Sequence, residues 1–169
     1  MSTQKITPFL WFDKNCEESL NFYCSIFKDA KIEHIKRYPV PVNGGELEAP
    51  MVGMEGKILT AVFTLEGQRF MALDGGPHFK PTGAVSFLVE CKDQAEIDHY
   101  WDALTAGGDP NQQQCGWLQD KFGFSWQIVP DMSRFFNEKD AAASDRALQA
   151  MLQMKKIDIA KLQEAYDQK

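Results

Sequence analysis

Apolar side chains recur along this chain with two periods, which predict strands and helices in a repeated order. The runs PFLWFD (residues 8–13) and VSFLVE (residues 85–90) have the continuous apolar character of buried strands. After each run, apolar residues are spaced three and four apart, as on one face of a helix: Leu20, Tyr23, Ile26 and Phe27 in the first case, and Ile97, Tyr100, Trp101 and Leu104 in the second. Both halves of the chain therefore begin with a strand followed by a helix.

β-type sequence follows each predicted helix. In the first half we predict strands at about Lys31–Tyr38, Lys57–Leu65 and Gln68–Asp74, with Gly67 in the tight link between the last two. In the second half, CGWLQDKFGFSWQIVP (residues 115–130) predicts two strands joined by a turn that begins at Asp120.

Two segments of the first half align with segments of the second half, each without internal gaps but at different shifts. A shift of 77 positions places Tyr23 on Tyr100, and a shift of 56 places Gly67 on Gly123. Because the strand, helix and hairpin all repeat, the chain is predicted to hold two βαβββ modules, at residues 1–76 and 77–132, of which the second is shorter.

Two segments depart from the repeat. Residues 39–56 are rich in Pro and Gly and predict a long loop, of the kind that often serves as a lid. Residues 133–169 predict a helical tail, with one apolar stripe through Leu148 and Leu152 and another through Ile159 and Leu162. The tail either packs on the chain's own sheets or clasps a second subunit.

Four segments together resemble a known family: DGGPHF (74–79), SFLVECKDQAEIDHYWDAL (86–104), the 115–130 segment and MLQMKKIDIAKL (151–162). With the Phe22-Tyr23 pair on the first helix, they are similar to the PhnB-like branch of the vicinal-oxygen-chelate (glyoxalase/bleomycin-resistance) superfamily. The branch is often labelled 3-demethylubiquinone-9 3-methyltransferase. The resemblance implies an α+β fold in which two βαβββ modules form a glyoxalase/bleomycin-resistance-like cup, with C-terminal helices, a ligand cavity and commonly a homodimer.

The glycines do not support the methyltransferase label. Adenosylmethionine enzymes of the common type use a Gly-rich turn between a parallel strand and a helix. Here the Gly pairs at 44–45, 75–76 and 107–108 fall in a loop, after a strand and at a helix end. We expect no adenosylmethionine cofactor.

Metal-dependent members of the superfamily place His, Glu or Gln on the first and last strands of each module. The corresponding positions here are Pro8, Met71, Val85 and Gln127, of which only the neutral amide of Gln127 could bind a metal ion. No metal site is expected, and reactions that use a metal as Lewis acid are disfavoured with it.

Composition narrows the remaining functions. The net charge of −6 gives no basic surface for nucleic acid, and no apolar run approaches the roughly 20 residues of a membrane span. The four cysteines lack CxxC spacing, which favours reduced thiols, and the N-terminus does not read as a signal peptide, so a cytoplasmic protein is expected.

No catalytic residue can be assigned from the sequence. His34 and His99 are expected to be structural or exposed, Asp120 to be a turn residue, and Phe124 and Trp126 to be core. The candidates for a ligand pocket are Phe12, Met71, His78, Cys115, Trp117, Ser125 and Gln127.

Two functions from different classes fit this set. The first is a binding module that holds a hydrophobic or aromatic small molecule without a metal ion. The second is a small-molecule enzyme that uses a polar pocket group such as His78 or Gln127. The first needs only a cavity, whereas the second needs a base and an orienting group together.

Overall fold

A computed structural model describes residues 4–41, 45–49 and 51–168, which divide into two compact units with the boundary at Lys80 and Pro81. The first unit holds one helix and a four-stranded sheet: β1 (Phe9–Phe12), α1 (Cys16–Ile26), β2 (Lys31–Arg37), β3 (Ile58–Leu65) and β4 (Gln68–Asp74). The sheet order is β1-β4-β3-β2, with β1 parallel to β4 and the other pairs antiparallel. This is the predicted βαβββ order, although the unit ends at Lys80 and not at residue 76.

The second unit has a three-stranded sheet and three α-helices: β5 (Ser86–Cys91), α2 (Gln94–Thr105), β6 (Trp117–Gln119), β7 (Ser125–Pro130), α3 (Ala141–Leu152) and α4 (Ile159–Asp167). Its sheet order is β5-β7-β6. The described part of this unit is therefore βαββ, one strand short of the predicted βαβββ. After α2 the chain forms a short 3₁₀ turn at Pro110–Gln112, where proline supplies no amide hydrogen for a strand ladder and Asp109 caps the turn.

A buried carboxylate holds the first unit together. Asp74, at the end of β4, is 1% exposed, and its two oxygens accept hydrogen bonds of 2.9 Å from the amides of Cys16 and Ile58. These amides open α1 and β3, so one side chain joins three elements. The pKa of Asp74 is raised because burial outweighs the two hydrogen bonds.

The helical tail lies within the second compact unit. The amides of Cys115 and Gly116 donate 2.8 Å hydrogen bonds to the carbonyls of Met154 and Lys155. The side-chain amide of Gln94, at the start of α2, also holds the segment between α3 and α4. Its Nε2 donates a hydrogen bond to the Ile157 carbonyl, and its Oε1 accepts one from the Ile159 amide. This part of the tail therefore packs on its own unit.

The predicted long connection lies between β2 and β3, and residues 42–44 and 50 in it are outside the described residues. Its last turn is held by hydrogen bonds between Tyr38 and Lys57 and between Gly56 and Tyr38. A lid role for it stays a prediction. None of the helices in the described ranges is both long enough and apolar enough to span a membrane.

Candidate functional site

Each sheet has a helix packed against one face, and we call the opposite face of each sheet its open face. In the first sheet, Asp74 contacts the start of α1, so its strand neighbours Ala72 and Phe70 share the helix-covered face. Met71 and Leu73 point to the other face. There Met71 lies in register between Phe9 and Val62, with His34 beyond them. Met71 is thus at the centre of the open face, where the sequence placed a pocket residue.

Phe12 is a correction to the predicted pocket. It pairs with Asp74 in the parallel ladder and is 3% exposed, so it lies in the core beneath α1. Every residue of the short run FLWF is apolar, and such a run does not reveal which side chains face the helix. The preceding residue, Trp11, lies on the open face instead.

Trp11 forms an aromatic corner at the end of the first sheet. Its Nε1 donates a 2.8 Å hydrogen bond to the Gly76 carbonyl, and its ring meets that of Phe79 edge-on at 4.9 Å. The indole lies so close to Gly75 that any Cβ at that position would clash with it. His78 is exposed in the turn that carries this corner. The sequence signal was present in DGGPHF, because the Gly pair marks the close approach of the ring.

The open face of the second sheet carries an exposed apolar row. Gln127 of the middle strand pairs with Leu88 on one side and with Trp117 on the other. Leu88 is 57% exposed and Trp117 is 37% exposed, while Gln127 is half-buried between them. We call Leu88, Gln127 and Trp117 the central row. Large apolar side chains in the middle of a sheet face are normally covered, so this row is a candidate binding surface.

Polar groups border the central row on both sides. Gln127 Nε2 donates a 2.8 Å hydrogen bond to Ser86 Oγ, which fixes the amide. Ser125 lies on the same face by alternation and is 7% exposed, beside Gly83. Beyond Leu88 on the same strand comes Glu90, an exposed carboxylate that was not among the predicted pocket residues.

Cys115 lies in the turn before β6 and not in the central row. Its backbone is left-handed, with φ of 52°, and its Sγ accepts a hydrogen bond from Gln114 Nε2 at 3.4 Å. Burial raises the pKa values of the other three thiols, to about 12 for Cys91. A raised pKa lowers the fraction of each thiol that is ionised, and the thiolate is the reactive form.

The strand pairing in the two sheets changes two of the four positions predicted for metal ligands. Pro8 and Val85 precede their strands, and the residues that pair with Met71 and Gln127 are Phe9 and Leu88. The resulting set of two apolar side chains, a thioether and an amide does not fit a divalent cation. Within the described ranges, no group of three or more His, Cys, Asp or Glu residues is placed to hold a metal ion.

The strand-to-helix turns do not fit adenosylmethionine binding of the common type. The turn between β1 and α1 is Asp13-Lys14-Asn15, and that between β5 and α2 is Lys92-Asp93, so neither contains glycine. The Gly pair at 75–76 follows β4 and that at 107–108 follows α2, while Gly44 lies outside the described residues.

Comparison with known proteins gives the family. Residues 4–129 match the family described as 3-demethylubiquinone-9 3-methyltransferase. A PhnB protein from Bacillus cereus, described as a 3-demethylubiquinone-9 3-methyltransferase, is 37% identical with a TM-score of 0.61, over 75% of this chain and 99% of that one. Protein PA1353 from Pseudomonas aeruginosa is 23% identical with a TM-score of 0.57, over 76% of this chain and 97% of that one, and shows the fold alone.

No curated protein matches the chain. The α+β architecture with its two small sheets is nevertheless that of the glyoxalase/bleomycin-resistance-like proteins, as the sequence predicted. The chain belongs to the PhnB-like 3-demethylubiquinone-9 3-methyltransferase family of the vicinal-oxygen-chelate superfamily.

Proposed function

We propose that this protein binds a hydrophobic or aromatic small molecule, without a metal ion, on the open face of its second sheet. The observation that carries the proposal is the central row, in which an exposed leucine and an exposed indole flank a fixed amide. A flat apolar ligand laid across this row would remove both side chains from water. Fully burying a side chain of this kind contributes roughly 1.5–3 kcal/mol.

The amide supplies orientation. Because Gln127 is held by Ser86, its amide oxygen and its second N–H have a fixed place on the face. Ligand sites commonly combine apolar walls with a few fixed polar groups of this type. Met71 and Trp11 give the first sheet a similar apolar open face, which is a second candidate surface for the same class of ligand.

The enzyme alternative lacks a specific observation in its favour. It needs a base held beside an orienting group. Gln127 does not titrate in water, and His78 belongs to the other unit, so these two residues do not supply that pair within one unit. We therefore propose binding and assign no reaction.

We also propose that the chain forms a homodimer in the cytoplasm. Support for the dimer comes from α3, on which Leu148 and Leu152 are exposed in the described unit. Support for the cytoplasm comes from the cysteines, all four of which are unpaired.

A thermal-shift screen of aromatic and aliphatic metabolites tests the proposal, because a ligand that binds the native state raises its melting temperature. Each hit is then titrated against Trp117→Ala and against Phe136→Ala, whose side chain is equally exposed at 37% but lies in the tail. We expect Trp117→Ala to weaken binding at least about tenfold and Phe136→Ala to leave it unchanged. Equal effects of the two substitutions would contradict binding at the central row. Ligands that bind only when a metal ion is added would contradict metal-independent binding.

A further inference from the structure

The open face of the second sheet carries charge of one sign. Its strand positions hold neutral side chains at Ser86, Leu88, Trp117, Gln119, Ser125, Gln127 and Val129, and a single ionisable one, Glu90. No lysine or arginine lies at these positions. A ligand on this face therefore meets a negative charge and no positive one from the strands.

The Glu90 carboxylate is available to a ligand. It is exposed and makes no hydrogen bond or ion pair with any residue in the described ranges. Lys92, the next cation along the chain, is engaged with Glu96 at 3.1 Å. Glu90 is thus an uncompensated charge at the border of an apolar surface.

Glu90 also lies at the right distance from the central row. It follows Leu88 by two residues on β5, which separates same-face side chains by about 7 Å along a strand. In the ladder it pairs with Val129, as Leu88 pairs with Gln127. A group on a short arm of a ring placed on the central row would reach the carboxylate.

The polar atoms of the central row favour the same ligand chemistry. One N–H of Gln127 Nε2 is donated to Ser86 Oγ, so Oε1 can accept a hydrogen bond from the ligand and the second N–H can donate one. The half-exposed indole of Trp117 attracts cations through its ring face. The carboxylate and the indole favour a ligand group that carries positive charge, and the amide oxygen of Gln127 can accept a hydrogen bond from it.

We infer that the ligand is a protonated organic amine with an aromatic or apolar body, rather than a carboxylic acid or a phosphate ester. This inference rests on the proposed binding function and names the ligand class of the same face. The body lies on Leu88 and Trp117, and the ammonium group is held between Glu90 and Gln127.

Three naphthalene probes that differ only in the head group test the inference: 2-naphthylmethylamine, 2-naphthylmethanol and 2-naphthoic acid. We expect the amine to bind about three- to fivefold more tightly than the alcohol at low salt, as an exposed ion pair allows, and the acid to bind most weakly. Glu90→Gln should reduce the affinity for the amine to that for the alcohol and leave the alcohol unchanged. Glu164→Gln, which removes an exposed charge from α4, is the matched control and should change nothing.

The outcomes separate the two proposals. If the probes bind through Trp117 but with equal affinity, or if Glu90→Gln keeps the preference for the amine, the ligand class is wrong and the binding face stands. If none of the probes binds, or if Trp117→Ala weakens none of them, the proposed function itself fails and this inference fails with it. Unchanged urea midpoints for the variants exclude unfolding as the cause of any loss.

Discussion

Asp120 and Trp126 are joined by a 2.8 Å hydrogen bond from the indole Nε1 to the carboxylate Oδ2, inside the hairpin that forms two of the three strands of the second sheet. The other oxygen of Asp120 accepts hydrogen bonds from the amides of Phe122 and Phe124. The carboxylate is 2% exposed, so one side chain closes the turn and also anchors the core tryptophan. The hairpin presents Trp117 and Gln127, and its rigidity therefore bears on the central row.

Replacing Asp120 should destabilise the protein strongly. Asp120→Ala removes the carboxylate that accepts from two part-buried amides and from a buried indole N–H, and the loss of an acceptor for a buried donor costs about 1–3 kcal/mol. We expect the free energy of unfolding to fall by about 3 kcal/mol or more, measured by urea denaturation. Asp131→Ala, which removes an exposed turn aspartate, is the control and should cost under about 1 kcal/mol. A similar loss for both variants would contradict the special role of Asp120.

The buried Asp74 predicts an unusual pH dependence. Burial raises its pKa in the folded protein above the unfolded value. Its contribution to stability is therefore complete below the unfolded pKa of about 3.9, and is lost as the pH rises through the higher folded pKa. Urea unfolding of the wild type and Asp74→Asn between pH 4 and pH 7 should show the wild type losing stability relative to the variant as the pH increases.

Asp131 supplies the opposite sign for comparison. Hydrogen bonds from Ser133 lower the pKa of its exposed carboxylate, so its contribution is present above the unfolded pKa and is lost as the pH falls. As the pH rises through the lower part of the same range, the free energy of unfolding of the wild type should increase relative to that of Asp131→Asn. If the stability of the wild type relative to Asp74→Asn stays constant, or increases as the pH rises, the assignment for Asp74 is refuted.

Much of the fold could be predicted from the sequence, because the elements are long and periodic. Strand β4 was predicted at its observed bounds, and α1 and α2 follow from their apolar spacing. A strand between α2 and β6 was predicted only because the first module has a strand after its helix. The structure has a 3₁₀ turn that begins at Pro110 in that place. Repetition shows that two halves share an origin, but it does not guarantee that each element of one is kept in the other.

The site was harder to predict, because it depends on which face of a strand is open. Alternation along one strand predicted that Ser125 and Gln127 share a face, and the pairing of Gln127 with Trp117 adds the latter residue to it. Phe12 was misplaced because the all-apolar first strand hides its alternation. Glu90 was missed because a carboxylate at the end of an apolar strand looks like the start of a turn.

The purified protein should carry no stoichiometric divalent metal. The side chains that meet in register on the two open faces are Phe9, Met71, Leu88 and Gln127, which offer at most one neutral oxygen and one thioether. Elemental analysis after tag removal and dialysis should give well under one Zn, Ni, Fe or Mn per chain. One retained equivalent that Gln127→Ala abolishes would overturn the prediction.

Adenosylmethionine should not bind, although the family's description names a methyltransferase. The strand-to-helix turns at residues 13–15 and 92–93 lack the glycines that let a cofactor approach the backbone. Calorimetry with a large excess of the cofactor should show no saturable heat. A dissociation constant in the low-micromolar range would restore the methyltransferase activity as the leading hypothesis.

Self-association should depend on the exposed stripe of α3. Leu148 and Leu152 lie one turn apart and are 37% and 43% exposed, although the rest of the tail is tied to its own unit through Gln94 and Ile157. Truncation of the tail would expose Ile157 as well, and would therefore confuse unfolding with dissociation. Point substitutions on α3 avoid this difficulty, because they leave the Gln94 hydrogen bonds in place.

We therefore expect the wild type to have about twice the chain mass of 19.2 kDa by light scattering, and Leu148→Glu/Leu152→Glu to approach the mass of one chain. Two charges in the middle of an apolar contact weaken dimerisation by far more than the loss of apolar area alone, because each charge loses its hydration without gaining a partner. Gln149→Glu adds one charge to an exposed position of the same helix and should leave the dimer intact. A monomeric wild type would refute the dimer. A double variant that stays dimeric would move the contact from α3 to another surface, and the open faces of the two sheets would be the next to test.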